Sequence, residues 1–457
     1  MLNTNDTICA LATPTGGALS IIRISGQQAI QIAGQLFKTA SGKPLSEYGH
    51  HFICFGRIVD DDGQILDEAV ASIFRAPYSY TGEDTIEFTC HGSTYIAQQV
   101  VYLLIIHGCR QAKPGEFTQR AFLAGKMDLS QAEAVADLIS SSSKASHRLA
   151  MNQMKGGFSK KLGELRAQLL ELTSLMELEL DFSEEDVQFA DRTQLKDLAQ
   201  IIKQTLYTLA SSFKDGNAIR NGIPVAITGR TNTGKSTLLN LLLNDERALV
   251  SDVRGTTRDS IEDTTTIGGT LFRFIDTAGI RNSQDTIEQL GIERSFKKIS
   301  EADIVIWVTD CTQPDTEDDA ELESRLLPLC QGKTLIKVHN KCDLRKGDQG
   351  TNSKNNIYIS AKQGINTDEL KQILLESAPS APADGDTVIV TNIRHFQAIN
   401  RALDCITRAL SGLDEGTSTD LLAQDTRECI HHLSDILGEV TTDDILQNIF
   451  SHFCIGK

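Results

Sequence analysis

The run Gly229-Arg-Thr-Asn-Thr-Gly234-Lys235-Ser236 has the residue types and spacing of a phosphate cradle. Gly229 and Gly234 let the backbone approach phosphate oxygens, while backbone amides and the N-terminus of the following helix stabilise negative charge. Lys235 reaches the β- and γ-phosphates, Ser236 binds Mg²⁺, and Thr233 and Thr237 flank them. Further along, Asp276-Thr-Ala-Gly279 turns a carboxylate toward the Mg²⁺ shell and the Gly279 amide toward the γ-phosphate. Asn340-Lys341-Cys-Asp343 offers a carboxylate to the two adjacent N–H donors of a guanine edge, and Ser360-Ala361-Lys362 closes the set. Adenine lacks that donor pair, so a site built around it rejects ATP by several kcal/mol. A Gly-rich turn without a ligand is the bland reading of the first motif alone. Four motifs in this order outweigh it and specify a GTP-binding P-loop domain.

Between cradle and carboxylate lies Gly255-Thr256-Thr257-Arg258-Asp259, placed as a first switch with Thr256 beside the nucleotide and Thr257 as second Mg²⁺ ligand. Two positions depart from the commonest layout of such enzymes. Ile280 follows Gly279 where many switch proteins have a glutamine, and isoleucine cannot orient the attacking water. Glu288 is the nearest plausible carboxylate for that task, although on sequence alone it reads equally well as a solvated helix-surface residue. Asn232 inside the cradle has a side-chain carbonyl suited to a monovalent cation beside the β- and γ-phosphates, where positive charge stabilises the transition state. The alternative for Asn232 is a turn residue chosen for its backbone tolerance.

Short apolar runs such as Ile223-Pro-Val-Ala-Ile-Thr228 and Leu335-Ile-Lys-Val-His339 precede the motifs and predict strands that present them. Outside this region the period changes. Residues 1–119 mix short strands and turns, with Gly56-Arg-Ile-Val-Asp-Asp-Asp-Gly63 marking a hairpin-like connection. Leu162, Leu165, Leu169, Leu172 and Met176 then repeat at three and four, as do Leu195, Leu198, Ile202, Leu206, Leu209 and Phe213. The same period resumes at Phe396, Ile399, Leu403, Ile406 and Leu410, after the Ala378-Pro-Ser-Ala-Pro-Ala-Asp-Gly385 linker. The expected architecture is multidomain: an α+β N-terminal domain over 1–119 and a long-helix bundle over 120–217 and 381–457. An α/β P-loop domain of Ras-like type is inserted into the bundle over 218–380.

With 457 residues and 40% hydrophobic content, the chain is long enough for about three ordinary globular domains. No apolar run approaches the ~20 residues that span a bilayer, so a cytoplasmic protein with no membrane partner is expected. Ten cysteines without a Cys-x-x-Cys pair fit neither a disulfide scaffold nor structural zinc, and most are expected to be small buried hydrophobes. Cys454 stands apart as the fourth residue from the end; the terminal Cys-Ile-Gly-Lys has the prenylation frame but not its residue types. A net charge of −17 argues against a general nucleic-acid binder, though a local basic groove or one supplied by a partner remains compatible with it.

Several segments resemble the tRNA-modification GTPase family called MnmE or TrmE. They are Asp6 to Pro14, Ile21 to Gly26, Tyr80 to Asp84, Cys90-His-Gly92, Pro114 to Phe122, Lys126 to Ala134, Leu180 to Asp186 and Phe453-Cys454-Ile-Gly-Lys457. The resemblance covers essentially the full length. It implies a K⁺-stimulated GTP hydrolase that acts with a flavoprotein of the GidA/MnmG type, as a heterotetramer, on carbon 5 of the wobble uridine of tRNA. It further implies that Asn232 holds K⁺, that Glu288 orients water, and that the N-terminal domain forms a homodimer. That domain would bind 5-formyl- or methylene-tetrahydrofolate as one-carbon donor, with Arg23 on the family's folate-site arginine. Glu68 and Arg120 are weaker correspondences and read equally as surface charges. The resemblance further implies that Cys454 is a thiol near the modification site and a candidate nucleophile there, against the alternative of a buried terminal thiol. One segment departs from the family: Thr13-Pro14-Thr15-Gly16-Gly17 lacks the usual second proline and is one residue shorter. The competing reading is a ribosome-assembly or regulatory switch GTPase that acts by binding alone.

Overall fold

Alternating apolar and polar residues over the first part of the chain pair into a sheet whose two faces have different fates. In the computed structural model the described residues are 6–181, 192–244, 263–275, 299–313, 317–345, 352, 353, 355–378, 388–440, 442–451 and 453–456. They divide into two compact units, one of Met1–Ala136, Gln153–Ile202 and Asp404–Lys457, the other of Asp137–Asn152 and Lys203–Leu403.

In the first unit, strands β1 (Ile8–Leu11), β2 (Leu19–Ser25), β3 (Phe37–Thr39), β4 (Phe52–Val59), β5 (Ile65–Phe74), β6 (Thr85–His91) and β7 (Arg110–Gln111) form one sheet. Its order is β3-β4-β5-β6-β2-β1-β7. Ile22, Ile24, Ala71, Ile73, Ile86 and Phe88 face the helices Ala29–Leu36 and Thr94–Ile106 and are buried with Ile32, Leu36 and Val100. The hairpin expected near Gly63 is the β4–β5 connection, closed by Asp60, whose carboxylate accepts from the amides of Asp62 and Gln64 at 3.1 and 2.7 Å. The leucine stripe of the helix Gly157–Asp181 is buried at every predicted position from Leu162 to Met176. That helix packs on Thr419–Leu437, to which Thr173 donates through the Thr426 hydroxyl at 2.9 Å.

The second unit holds β8 (Ile223–Thr228), β9 (Asp263–Ile267), β10 (Thr270–Ile275), β11 (Ile304–Asp310), β12 (Thr334–Asn340) and β13 (Asn356–Tyr358), in the order β13-β12-β11-β8-β10-β9. All neighbours run parallel except β9, which pairs antiparallel to β10 at the edge. β11 is an interior strand: Ile304 to Val308 are all buried, Ile306 and Val308 on one face and Val305 and Trp307 on the other. A strand covered on both faces reads as a continuous apolar run, which is what Ile-Val-Ile-Trp-Val shows. Helices Lys235–Asn244 and Thr367–Glu376 supply Leu238, Leu239, Leu242, Leu370 and Leu374 to the core on the Ile306 face. Among the described residues no helix is long and apolar enough to cross a membrane.

Candidate functional site

In a parallel sheet the loops after the strand C-termini gather along one edge, where ligands bind. Here that edge carries the cradle after β8, Asp310 at the end of β11, Asn340 at the end of β12 and Ser360 to Lys362 after β13. Within the cradle Lys235 folds its ammonium back onto the carbonyls of Gly229 and Arg230, at 2.7 and 2.6 Å. Burial lowers the pKa of Lys235, so its charge is already partly desolvated and phosphate oxygens can replace those two carbonyls. Thr233 is buried and its hydroxyl donates to the Arg230 carbonyl at 3.0 Å, tightening the loop, while Thr237 is exposed at the start of the helix. Asn232 is exposed with φ +62°, a left-handed conformation that asparagine tolerates better than most residues.

Asn340 joins two motifs with one amide. Its Nδ2 donates to the Thr233 carbonyl at 2.8 Å, and its Oδ1 accepts from the Ala361 amide at 3.0 Å. The side chain is buried, and Gly234 passes so close that a Cβ there would lie 2.2 Å from Asn340 Nδ2. Lys341 adopts φ +67° and its Nζ donates to Asp310 Oδ2 at 2.5 Å. Burial raises the pKa of Asp310, but hydrogen bonds from Lys341 and Thr312 outweigh it and hold the carboxylate below its ordinary range. Asp343 Oδ2 accepts from Gln363 Nε2 at 3.2 Å. Ser360 pairs through its backbone with Ile365, which holds the loop carrying Ala361 and Lys362. The structure thus brings Thr233, Gly234, Lys235, Asn340 and Ala361 together. Thr256, Thr257, Asp276, Gly279 and Glu288 lie outside the described residues. Asp310 was absent from the sequence expectations; its signal is a carboxylate ending a buried apolar strand, the pattern that marked Asp276.

A second group of residues sits on the other face of the first sheet. Arg23 of β2 donates from Nε to Glu87 of β6 at 2.7 Å and from NH1 to the Gly456 carbonyl at 3.3 Å. Its guanidinium lies 5.6 and 5.5 Å from the ring centroids of Tyr80 and Phe117. The contact with Gly456 brings the C-terminal segment beside Arg23. Cys454 there is exposed, against the buried-thiol alternative, and its carbonyl accepts from Gly115 at 3.4 Å, while Phe450 and Phe453 anchor the segment in a core with Leu129. Glu68 of β5 is half exposed, pairs with Arg57 at 3.3 Å, and shares the open face with Arg23. Arg120 is no surface charge. It is 3% exposed, with contacts to Asp6, Glu83 and Glu116 between 2.6 and 3.2 Å, and its Nε has no partner among the described residues.

Comparison with known proteins now decides the lineage. A model of the MnmE helical domain matches residues 129–454, more than half of the chain, and one of the GTP-binding protein TrmE N-terminus matches 7–126. A tRNA modification GTPase MnmE of Bacteroides fragilis is 58% identical over 464 residues, covering 99% of both chains. The chain belongs to the MnmE family. Relatives of that name in Parabacteroides distasonis and Christiangramia forsetii are 54% and 49% identical, each over 99% of this chain. Among solved structures, Era of Aquifex aeolicus is 27% identical over 40% of this chain and 66% of its own, at a TM-score of 0.27. The MnmE family model and the parallel sheet with its cradle agree with the multidomain architecture expected from the sequence.

Proposed function

We propose that this chain hydrolyses GTP to drive modification of carbon 5 of the wobble uridine in tRNA, in the cytoplasm, together with a GidA/MnmG-type flavoprotein. Membership of the MnmE family supports the GTPase and tRNA assignments. The observation that carries the nucleotide reading is the Asn340 bridge, because one buried amide ties the phosphate cradle to the loop pair that would enclose a guanine base. In this reading Ser236 and Thr257 hold Mg²⁺, Lys235 meets the β- and γ-phosphates, Asn232 helps hold K⁺, and Glu288 orients water. The exposed side chain and left-handed backbone of Asn232 suit a ligand to a cation on the solvent side of the cradle.

The open sheet face fits a reduced folate by the chemistry of its groups. Glu68 can accept from ring N–H donors, Ile21, Thr89 and Val70 give a flat floor, and the Arg23 guanidinium suits an anionic or carbonyl group. A bound folate would supply a one-carbon unit there, with Cys454 near it on the C-terminal segment. Arg120, spent on three carboxylates, serves that site as a buried support for it. Phe52, Ile53, Phe55 and Ile65 leave exposed apolar surface on β4 and β5, which supports self-association through this domain.

The deciding measurement is GTP turnover with K⁺ replaced by Na⁺, run beside mass spectrometry of wobble nucleosides from cells lacking the protein. Turnover at least tenfold higher in K⁺, and loss of the modified nucleoside, are expected. Equal turnover removes the cation role of Asn232. Unchanged nucleosides return the chain to the binding-only switch.

A further inference from the structure

At the far end of the open sheet face from Arg23, β6 ends in His91, opposite Leu19 of β2. The Asp67 carboxylate, 8% exposed, accepts twice from this one residue: the backbone amide meets Oδ2 at 2.8 Å and ring Nδ1 meets Oδ1 at 2.8 Å. The first bond satisfies the strand-end amide and is sufficient for the sheet. The second adds nothing to the sheet. It fixes the ring, makes Nδ1 the protonated nitrogen, and leaves Nε2 on an imidazole that is 69% exposed, with no protein partner among the described residues. Freezing an exposed ring costs rotamer entropy, and keeping a carboxylate nearly out of water costs solvation, so an arrangement serving only the surface would shed it.

The surroundings of His91 are those of a binding face. The loop of residues 13–18, the segment that departs from the family pattern, is pinned against it by the Gly92 amide on the Ala18 carbonyl at 2.9 Å and by the Ile21 amide on Thr13 Oγ1 at 3.0 Å. The β5–β6 pairing ends at Val70 and Thr89, and Glu68 and His91 each lie two residues beyond it, so the folate candidate Glu68 and this imidazole lie at the same end of the open face. The charged group that meets the ring is Asp67 of β5; at the same end of the face are Glu68 of β5 and its partner Arg57 of β4, with Glu87 and Arg23 two pairs away. The β2 side offers Leu19, and the 13–18 loop contains no titratable side chain.

We propose that His91, held by Asp67, is the proton-carrying ligand contact of this face, with Nε2 presenting a hydrogen bond to the bound one-carbon carrier. The inference rests on the folate reading of the face. When the ring carries a proton on both nitrogens, Nδ1–H stays on Asp67 and Nε2 donates to an acceptor on the ligand. A neutral ring offers only a lone pair at the same atom.

The test uses the purified full chain and 5-formyltetrahydrofolate as probe, titrated from pH 8.5 to 5.5, with ¹⁵N-histidine spectra of the ligand-free protein. Expected are binding that tightens about tenfold toward the acid end and a single Nδ1–H tautomer of His91 that becomes mixed in Asp67→Asn. His91→Asn, whose amide can keep the Asp67 contact, should weaken binding at pH 5.5 about tenfold and flatten the profile, with GTP turnover and melting temperature unchanged. The inference is overturned by unaltered affinity in His91→Asn, or by weaker binding whose pH profile persists. A wild-type chain that does not bind the probe at any pH overturns the folate reading itself, which separates the two failures.

Discussion

Asn340 does with one side chain what a loop closure would need several residues to do. Both ends of its amide are used inside a buried setting, so truncation leaves the Thr233 carbonyl and the Ala361 amide without partners. Each orphan costs ~1–3 kcal/mol. Asn340→Ala is therefore expected to weaken GTP binding about 100-fold, measured by fluorescent-nucleotide titration. Gly234→Ala should do the same from the opposite side, because its Cβ would lie 2.2 Å from Asn340 Nδ2 at φ +96°. If the alanine at 234 binds normally, the bridge is not what assembles the site. Glu288 calls for a different signature. A residue that orients water acts in the transition state, so Glu288→Ala should lower GTP turnover about 100-fold while nucleotide affinity changes less than threefold. Equal losses in the two would assign Glu288 to binding.

At the scale of elements, the N-terminal unit is stitched by ion pairs where its shortest strands meet. Arg110 of β7 pairs with Asp6 and Glu116, and Arg120 of the helix Glu116–Leu123 pairs with the same two carboxylates. β7 is two residues long, too short for backbone pairing alone to hold it. Burial raises the pKa of Glu116 and of Asp6, but their arginine partners outweigh it, and both carboxyls lie below their usual values of 4.5 and 3.8. Carboxylates depressed in the folded state add stability that is complete above those values and is lost as pH falls through the lower, folded ones. Melting temperature should accordingly hold from pH 7 to about 5 and drop below pH 4. Glu116→Gln leaves the buried Arg120 and the partly exposed Arg110 short of charge, so it should cost ~3 kcal/mol at pH 7 and flatten that acid limb. A variant with the wild-type limb would show that other carboxylates govern acid unfolding.

At the scale of the whole molecule, the decisive quantity is the net charge of −17. Affinity for tRNA rises with the number of phosphates neutralised, and this chain carries 61 acidic against 44 basic side chains. The expected result is weak tRNA binding by this chain alone, with Kd in the ~10 μM range at physiological salt. Addition of the proposed flavoprotein partner should tighten it at least tenfold and steepen the salt dependence. Filter binding at several salt concentrations checks both. Tight binding by the chain alone would require a basic groove that the composition does not suggest.

The nucleotide, the strand-and-cradle unit and the leucine stripes were legible in the sequence because their determinants are local. A cradle needs glycines and a lysine within eight residues, and a helix writes its buried face at intervals of three and four. Thus Leu162 to Met176 are buried where their period put them, and the cradle, Asn340 and Ser360 to Lys362 lie along one edge of the sheet. What the tertiary structure alone decided are pairings between residues far apart in the chain. Nothing in the order of letters says that Arg23 meets the Gly456 carbonyl, that Asp67 orients His91, or that Arg120 is consumed by Asp6, Glu83 and Glu116. Those contacts depend on which strands become neighbours and which face each side chain takes, and the free energy that selects them comes from burying the whole sheet and bundle at once.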